Sequence, residues 1–251
     1  MTNDADAHSE QPDLTGRRAI ITGGTTGIGR AIAVLLASYG IKVFICGRNS
    51  VHLADALERI REVGQGDGLA LDLSVSEDLE RFFTQAEDYL GGLDIAVINA
   101  AIPAEAVAEQ GEDETRYQIA VDFTAYLVCA REAAQRMGAG SDMIFIGSMS
   151  SQVREGGNSL YIAAKAGIQG LVPPLRHELA ERDIKVGLIE PGFTGADFQY
   201  PEFPPEKQRE LIHADKMLRA EDIAVATYFM LAQPRRAAVS HIRVEPRLEH
   251  N

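Results

Sequence analysis

Residues 19–30 read AIITGGTTGIGR, a short β-branched run from Ala19 to Thr22 that breaks into glycines and then opens a segment with helical spacing. The order of these parts says more than the glycines alone. A tight turn at Gly23 reverses the chain, Gly27 has no side chain to block a pyrophosphate, and Gly29 lets helix and strand pack closely. Backbone N–H groups and the helix dipole then face the phosphates, which makes Gly23, Thr25, Thr26, Gly27, Ile28 and Gly29 candidate dinucleotide contacts. A plain strand-to-helix turn would use the same glycines. The strand before them and the amphipathic helix after them favour the dinucleotide.

The same alternation runs through the rest of the chain. Apolar runs at 42–46, 68–73, 94–101, 142–147 and 185–191 are short, mostly unbroken and rich in Ile and Val. Strands buried on both faces read this way. Between them lie segments of helical spacing: one from Ile28 to the stop at Gly40, one at 53–60 ending at Gly64, one at 79–90 ending at Gly91, and two longer ones at about 113–137 and 159–182. A last helix is expected near 221–232, where Glu221 and Asp222 suit the first turn, before a short strand at 241–245. The expected class is α/β: a Rossmann-like doubly wound parallel sheet of about seven strands with helices on both faces. Residues 1–13 are expected to form a flexible arm and 14–251 a single domain. The stretch 193–215 is the one long irregular insertion, on the ligand side of such a sheet, and reads equally well as a mobile lid or an inert excursion. Pro173 and Pro174 are expected to interrupt and bend the helix at 159–182.

Composition narrows the function. The 251 residues are 45% hydrophobic and 24% charged, ordinary globular values. No apolar run is long enough to span a membrane, and the acidic start is no secretory signal. Cys46 and Cys129 lie far apart, which excludes a disulfide framework and fits a reducing cytoplasm. The formal net charge of −13, from 37 acidic and 24 basic residues, argues against nucleic acid and anionic membranes as partners. A small phosphorylated ligand remains compatible with it. The six histidines show no ligand spacing, so no metal is expected.

The spacing T-G-x-x-x-G-x-G at Thr22–Gly29 resembles the short-chain dehydrogenase/reductase family, and the resemblance covers nearly the whole chain, from about Leu14 to Pro246. The second strand ends Ile45-Cys46-Gly47-Arg48-Asn49. NAD-preferring dinucleotide folds place an acidic residue here for the ribose 2′-OH. Gly47 stands there instead, with Arg48 beside it and Asn49 next, so NADP(H) is expected over NAD(H), its 2′-phosphate held by the guanidinium. A solvated loop role for Arg48 is the blander alternative. The resemblance implies that Asp72, followed by Leu73, accepts from the adenine amino group, and that Asn99-Ala100-Ala101 lies along the cofactor. The family usually has Asn-Ala-Gly, so Ala101 adds a methyl near the ribose.

Tyr161 and Lys165 are four apart and share a helix face, and Ser148 stands thirteen residues before the tyrosine. They match the family's Ser and Tyr-x-x-x-Lys pattern. A carbonyl that gains hydride needs a proton on oxygen, and a free phenol, with a pKa of about 10, gives one up more readily when a cation stands by to favour phenolate. The resemblance gives Lys165 a bond to the nicotinamide ribose and Ser148 a bond to the substrate oxygen. The expected reaction interconverts a ketone or aldehyde and an alcohol, with Tyr161 as acid/base.

Asp122 stands where the family has its catalytic asparagine, which supports a kinked turn and a water leading to the lysine; aspartate is nearly isosteric and can do the same through its backbone carbonyl, or as a carboxylate can pair with Lys165. Pro191 and Gly192 match the family's cofactor-side turn, but the threonine five residues after the proline is Ala196, leaving Thr194 to substitute. Met149, Arg154, Phe193 and Phe198 are the candidate substrate contacts. Glu155 can neutralise Arg154, so a neutral, moderately apolar carbonyl compound is expected. The resemblance further implies a homo-oligomer, dimer or tetramer, formed through the two long helices with help from Ile162, Leu171 and Val172. The alternative reading is a cofactor-binding regulatory or scaffold protein with little turnover. Asp122, Ala101 and Ala196 favour it; the intact Ser148, Tyr161 and Lys165 oppose it.

Overall fold

The computed structural model describes residues 12–103, 106–152, 158–195 and 203–248. Seven strands form its centre: β1 (Arg18–Ile21), β2 (Lys42–Gly47), β3 (Gly66–Ala70), β4 (Leu93–Ile98), β5 (Met137–Ile146), β6 (Lys185–Pro191) and β7 (His241–Val244). They make one sheet in the order β3-β2-β1-β4-β5-β6-β7, every pairing parallel. The direction of winding reverses between β1 and β4, which opens a crevice at their carboxyl ends.

Residue alternation explains the two cores. Along β2, Phe44 and Cys46 point to one face, where they meet Phe82, Tyr126, Phe145 and Ile168; Val43 and Ile45 point to the other, against Ile32, Leu53 and Ile223. The first face is covered by α3 (Ser76–Leu90), α5 (Ala125–Arg136) and α6 (Ser159–Ala180), and the second by α1 (Gly27–Ser38), α2 (Ser50–Val63) and α8 (Ala220–Leu231). Both cysteines are buried, and burial raises the Cys46 thiol to about 12. Among the described residues no helix is long and apolar enough to cross a membrane.

Several expectations are corrected. The segment at 113–137 is not one helix: α4 (Glu112–Ile119) passes through a π turn at Ala120–Thr124 before α5. The third strand ends at Ala70, and Leu71 and Leu73, read as strand, are buried in the loop beyond it. The irregular stretch 193–215 contains α7 (Pro205–His213), opened by Pro205 at its first position, where the missing N–H costs nothing. Helix α6 runs through Pro173 and Pro174 without interruption. Both prolines are exposed, and so is Gly170, one of the two residues whose carbonyl loses its helical donor; water can serve it. Val172, expected at an oligomer face, is only 3% exposed and packs in the core.

The amino ends of the strands are fastened by one carboxylate. Asp142 at the start of the buried part of β5 is reached by Arg17 at 2.8 Å, Arg235 at 3.1 Å and Lys185 at 3.4 Å. Arg17 also donates to the carbonyls of Asp94 and Gly140, so β1, β4, β5 and β6 are tied together there.

Candidate active site

The glycine loop is clamped at the carboxyl end of the sheet. The backbone N–H groups of Asn99 and Ala100 donate to Thr22 Oγ1 at 2.8 and 3.1 Å, and the Asn99 amide donates to the carbonyls of Thr22 and Gly23. Gly23 has φ +64°, and a Cβ there would press on the Ala100 backbone; a Cβ at Gly29 would overlap the Gly23 carbonyl oxygen. The N-cap of α1, Thr26, makes no side-chain cap bond, and Thr26 and Ile28 bring the amino end of this helix to the crevice.

A cleft of about 610 Å³ follows, walled by Gly23, Thr25, Thr26, Ile28, Arg48, Asn49, Asp72, Leu73, Asn99, Ala100, Ala101, Ser148, Tyr161, Lys165, Pro191, Gly192 and Thr194. The candidates gathered from seven separate stretches of sequence therefore share one space. Gly27 and Gly29 lie outside the wall, as do Asp122, Met149 and Phe193. Phe193 instead meets Phe203 edge-on, ring centres 5.2 Å apart, and the Thr194 hydroxyl donates to the Gly192 carbonyl at 2.9 Å. Arg154, Phe198 and Ala196 lie outside the described residues. His52, Ile102, Pro103 and Val121 line the cleft without having been singled out by the sequence.

At one end of the cleft, a Cβ at Gly47 would overlap the Thr25 side chain, so a carboxylate side chain here would require Thr25 to move. Arg48 Nη1 donates to the Tyr117 hydroxyl at 2.7 Å, and that hydroxyl donates to Asp72 Oδ2 at 2.7 Å. Burial works to raise the Asp72 carboxyl, but the bonds from Tyr117 and Ser74 outweigh it and hold the group below the ordinary carboxylate range. Asn49 uses its side-chain oxygen to cap α2, accepting from the N–H groups of Val51 and His52.

At the other end, Ser148 Oγ accepts from the Ser150 N–H at 3.1 Å, which leaves its own proton for a ligand. Lys165, 2% exposed, donates to the Tyr126 hydroxyl at 2.9 Å and the Ile146 carbonyl at 3.1 Å. Its Nζ stands 5.5 Å from the centre of the Tyr161 ring. The Tyr126 hydroxyl completes a triangle by donating to the same Ile146 carbonyl at 3.1 Å. Burial pulls the Lys165 ammonium down to about 8, against the attraction of the Asp122 charge.

The expected contact between Asp122 and Lys165 does not form, because the ammonium is already held by Tyr126 and Ile146. Asp122, fully buried in the π turn, accepts from the Ile102 N–H at 2.8 Å and from Gln118 Nε2 at 3.1 Å. Burial raises its carboxyl despite these bonds. Tyr117 carries no local signal in the sequence. Tyr126, four residues past Asp122, has the helical spacing that brings two residues to one side, and could have been found that way.

A family model described as short chain dehydrogenase matches residues 17–207. The chain belongs to the short-chain dehydrogenase/reductase family. Members are NAD(P)-dependent oxidoreductases acting on small molecules. Among curated relatives of this short-chain dehydrogenase/reductase is the dehydrogenase/reductase SDR family member 11 of Gallus gallus, 30% identical over 250 residues, covering 92% of this chain and 96% of the relative. An uncharacterized oxidoreductase of Staphylococcus aureus is 30% identical over 240 residues, covering 93% and 98%. Among solved structures, a dehydrogenase/reductase of Sinorhizobium meliloti superposes with a TM-score of 0.83 at 30% identity over 92% of this chain and 94% of that one. A short-chain dehydrogenase of Burkholderia cenocepacia, solved in complex with NADP, gives 0.82 at 26% identity over 94% and 98%.

Proposed function

We propose that the protein is an NADP(H)-dependent oxidoreductase that interconverts a ketone or aldehyde and an alcohol, with Tyr161 as its acid/base. The observation that carries this reading is the single cleft that Ser148, Tyr161 and Lys165 share with the amino end of α1 and Arg48. The residues suit a dinucleotide: the α1 amino end and the bare backbone at Gly23 accept a pyrophosphate, and Gly47 carries no carboxylate that would repel a 2′-phosphate. Thr25, Thr26 and Ile28 would hold the phosphates, Arg48 the 2′-phosphate, Asp72 and Leu73 the adenine, and Asn99, Ala100, Ala101, Pro191, Gly192 and Thr194 the nicotinamide half. The complex of the Burkholderia relative with NADP agrees with this choice. When bound, the nicotinamide supplies or accepts the hydride.

The chain's own residues handle the proton. Lys165, with a pKa of about 8, is mostly protonated at neutral pH, and its charge beside Tyr161 favours phenolate and eases release of the phenolic proton to a carbonyl oxygen. Ser148 donates to the same oxygen and orients it. Asp122 acts behind the cleft, fixing the backbone of Ile102 in the wall. Oxidation of NADPH by wild type and Tyr161→Phe, against a panel of neutral ketones and aldehydes, tests the reading. The variant is expected to lose at least about a hundredfold in kcat with NADPH affinity unchanged. Tight NADPH binding by a wild type that turns over nothing would favour the regulatory or scaffold reading instead.

A further inference from the structure

We infer that Tyr117 is a specificity-determining residue for 2′-phosphorylated adenosine, because it holds the Arg48 guanidinium in place by bridging it to Asp72. The inference rests on the proposed preference for NADP(H) and extends it to a residue outside the cleft wall, on a helix the glycine motif does not involve.

Arg48 is exposed at the end of β2. An exposed arginine carries large rotamer entropy, and ordering it on a phosphate erodes much of the contact's worth. Here that ordering is already in place. The Tyr117 hydroxyl has one proton, which goes to Asp72 Oδ2 at 2.7 Å, so its oxygen accepts from Arg48 Nη1 at 2.7 Å, and the direction of the relay is fixed. The carboxylate at the far end is itself anchored, its Oδ1 accepting from the Ser74 N–H at 2.9 Å. Three separate elements thus hold one guanidinium: the end of β2, the helix α4 and the loop after β3. Among the described residues one of its five N–H donors is used, which leaves donors for an anion. Asp72 stands a hydroxyl away from Arg48 rather than against it, so the guanidinium keeps its charge for a ligand. Arg48 lies on the cleft wall while so bonded, which makes the relay a preset contact rather than a latch drawing the arginine away.

Calorimetric titration of the full-length protein with adenosine 2′,5′-bisphosphate and with ADP tests this without any turnover. Tyr117→Phe keeps the ring and removes only the relay oxygen. It is expected to weaken the bisphosphate about fivefold to tenfold, as loss of one hydrogen bond to a charged group implies, with ADP unchanged within about twofold. Arg48→Ala is expected to weaken the bisphosphate at least about tenfold, and adding Tyr117→Phe to it to cost nothing more, because both changes remove the same contact. If Arg48→Ala acts and Tyr117→Phe does not, the inference is overturned and the NADP(H) reading stands. Tighter bisphosphate binding by Tyr117→Phe, or equal weakening of both ligands, also overturns it. No effect of Arg48→Ala overturns the inference and the cofactor preference together.

Discussion

Lys165 carries an ammonium into the protein interior, and burial lowers it from 10.5 to about 8. The sign of the consequence follows from linkage. Below pH 8 the lysine is protonated both folded and unfolded, and the folded state bears the full cost of a desolvated charge, on the order of 3 kcal/mol for a shift of this size. Between pH 8 and 10.5 the unfolded chain holds more protons than the folded one, so stability rises with pH across that window. Lys165→Met should therefore be more stable than wild type by about 2 kcal/mol at pH 7, with the gap closing toward pH 10. Urea unfolding of both proteins at a series of pH values measures this, and a gap independent of pH contradicts it. The price at this residue is what a buried acid/base partner requires.

At the scale of elements, the π turn at Ala120–Thr124 joins α4 to α5 and aims Asp122 at the backbone of Ile102. Behind it runs a chain of amides: Gln110 Nε2 donates to Gln118 Oε1, and Gln118 Nε2 donates to Asp122 Oδ2. Gln110 Oε1 is buried without a partner among the described residues. If Asp122 becomes Asn, both glutamine amides can rotate by half a turn and the chain reverses polarity with every link kept. Asp122→Asn should then change stability by less than about 1 kcal/mol, whereas Asp122→Ala, which strands the Ile102 N–H and the Gln118 amide, should cost about 2 kcal/mol or more. Thermal unfolding of the two variants decides between this account and one in which the charge itself holds the turn. The apolar period of 3.6 could not show this element, because it continues across 113–137 and one inserted residue leaves it almost unchanged; the family resemblance alone implied a kinked turn at Asp122. The strands and the β1–α1 loop were legible because burial on both faces and the glycine spacing are local signals. Helix α7 was not, since Pro204 and Pro205 read as breakers when the second of them is a starter. Within the site, Tyr161 and Lys165 could be put on one helix face from their spacing and Arg48 at a strand end, while Ser148 and Asp72 came from the family resemblance. Tyr117 could not be found, because its partner, Arg48, lies 69 residues away and nothing local marks the tyrosine.

For the whole molecule, α5 leaves Leu127 exposed and α6 leaves Ile162 and Leu171 partly so, and we propose that these helices meet a second copy. Light scattering should give the mass of two or four chains; a strictly monomeric mass contradicts that proposal. The sheet itself has two rims. All the cleft residues sit at the carboxyl ends of the strands, and the Asp142 cluster sits at the amino ends. Asp142→Asn leaves Arg17, Lys185 and Arg235 facing one another around a lost partner, and should cost about 3 kcal/mol by urea unfolding. A strand such as β4, with six residues, separates the rims by about 20 Å, roughly twice the screening length of ordinary buffer. The stability costs of Asp142→Asn and Arg48→Ala should therefore add within about 0.5 kcal/mol in the double variant. Durability and ligand choice are in this sense written on opposite margins of the same page, and a designer could redraft one without smudging the other.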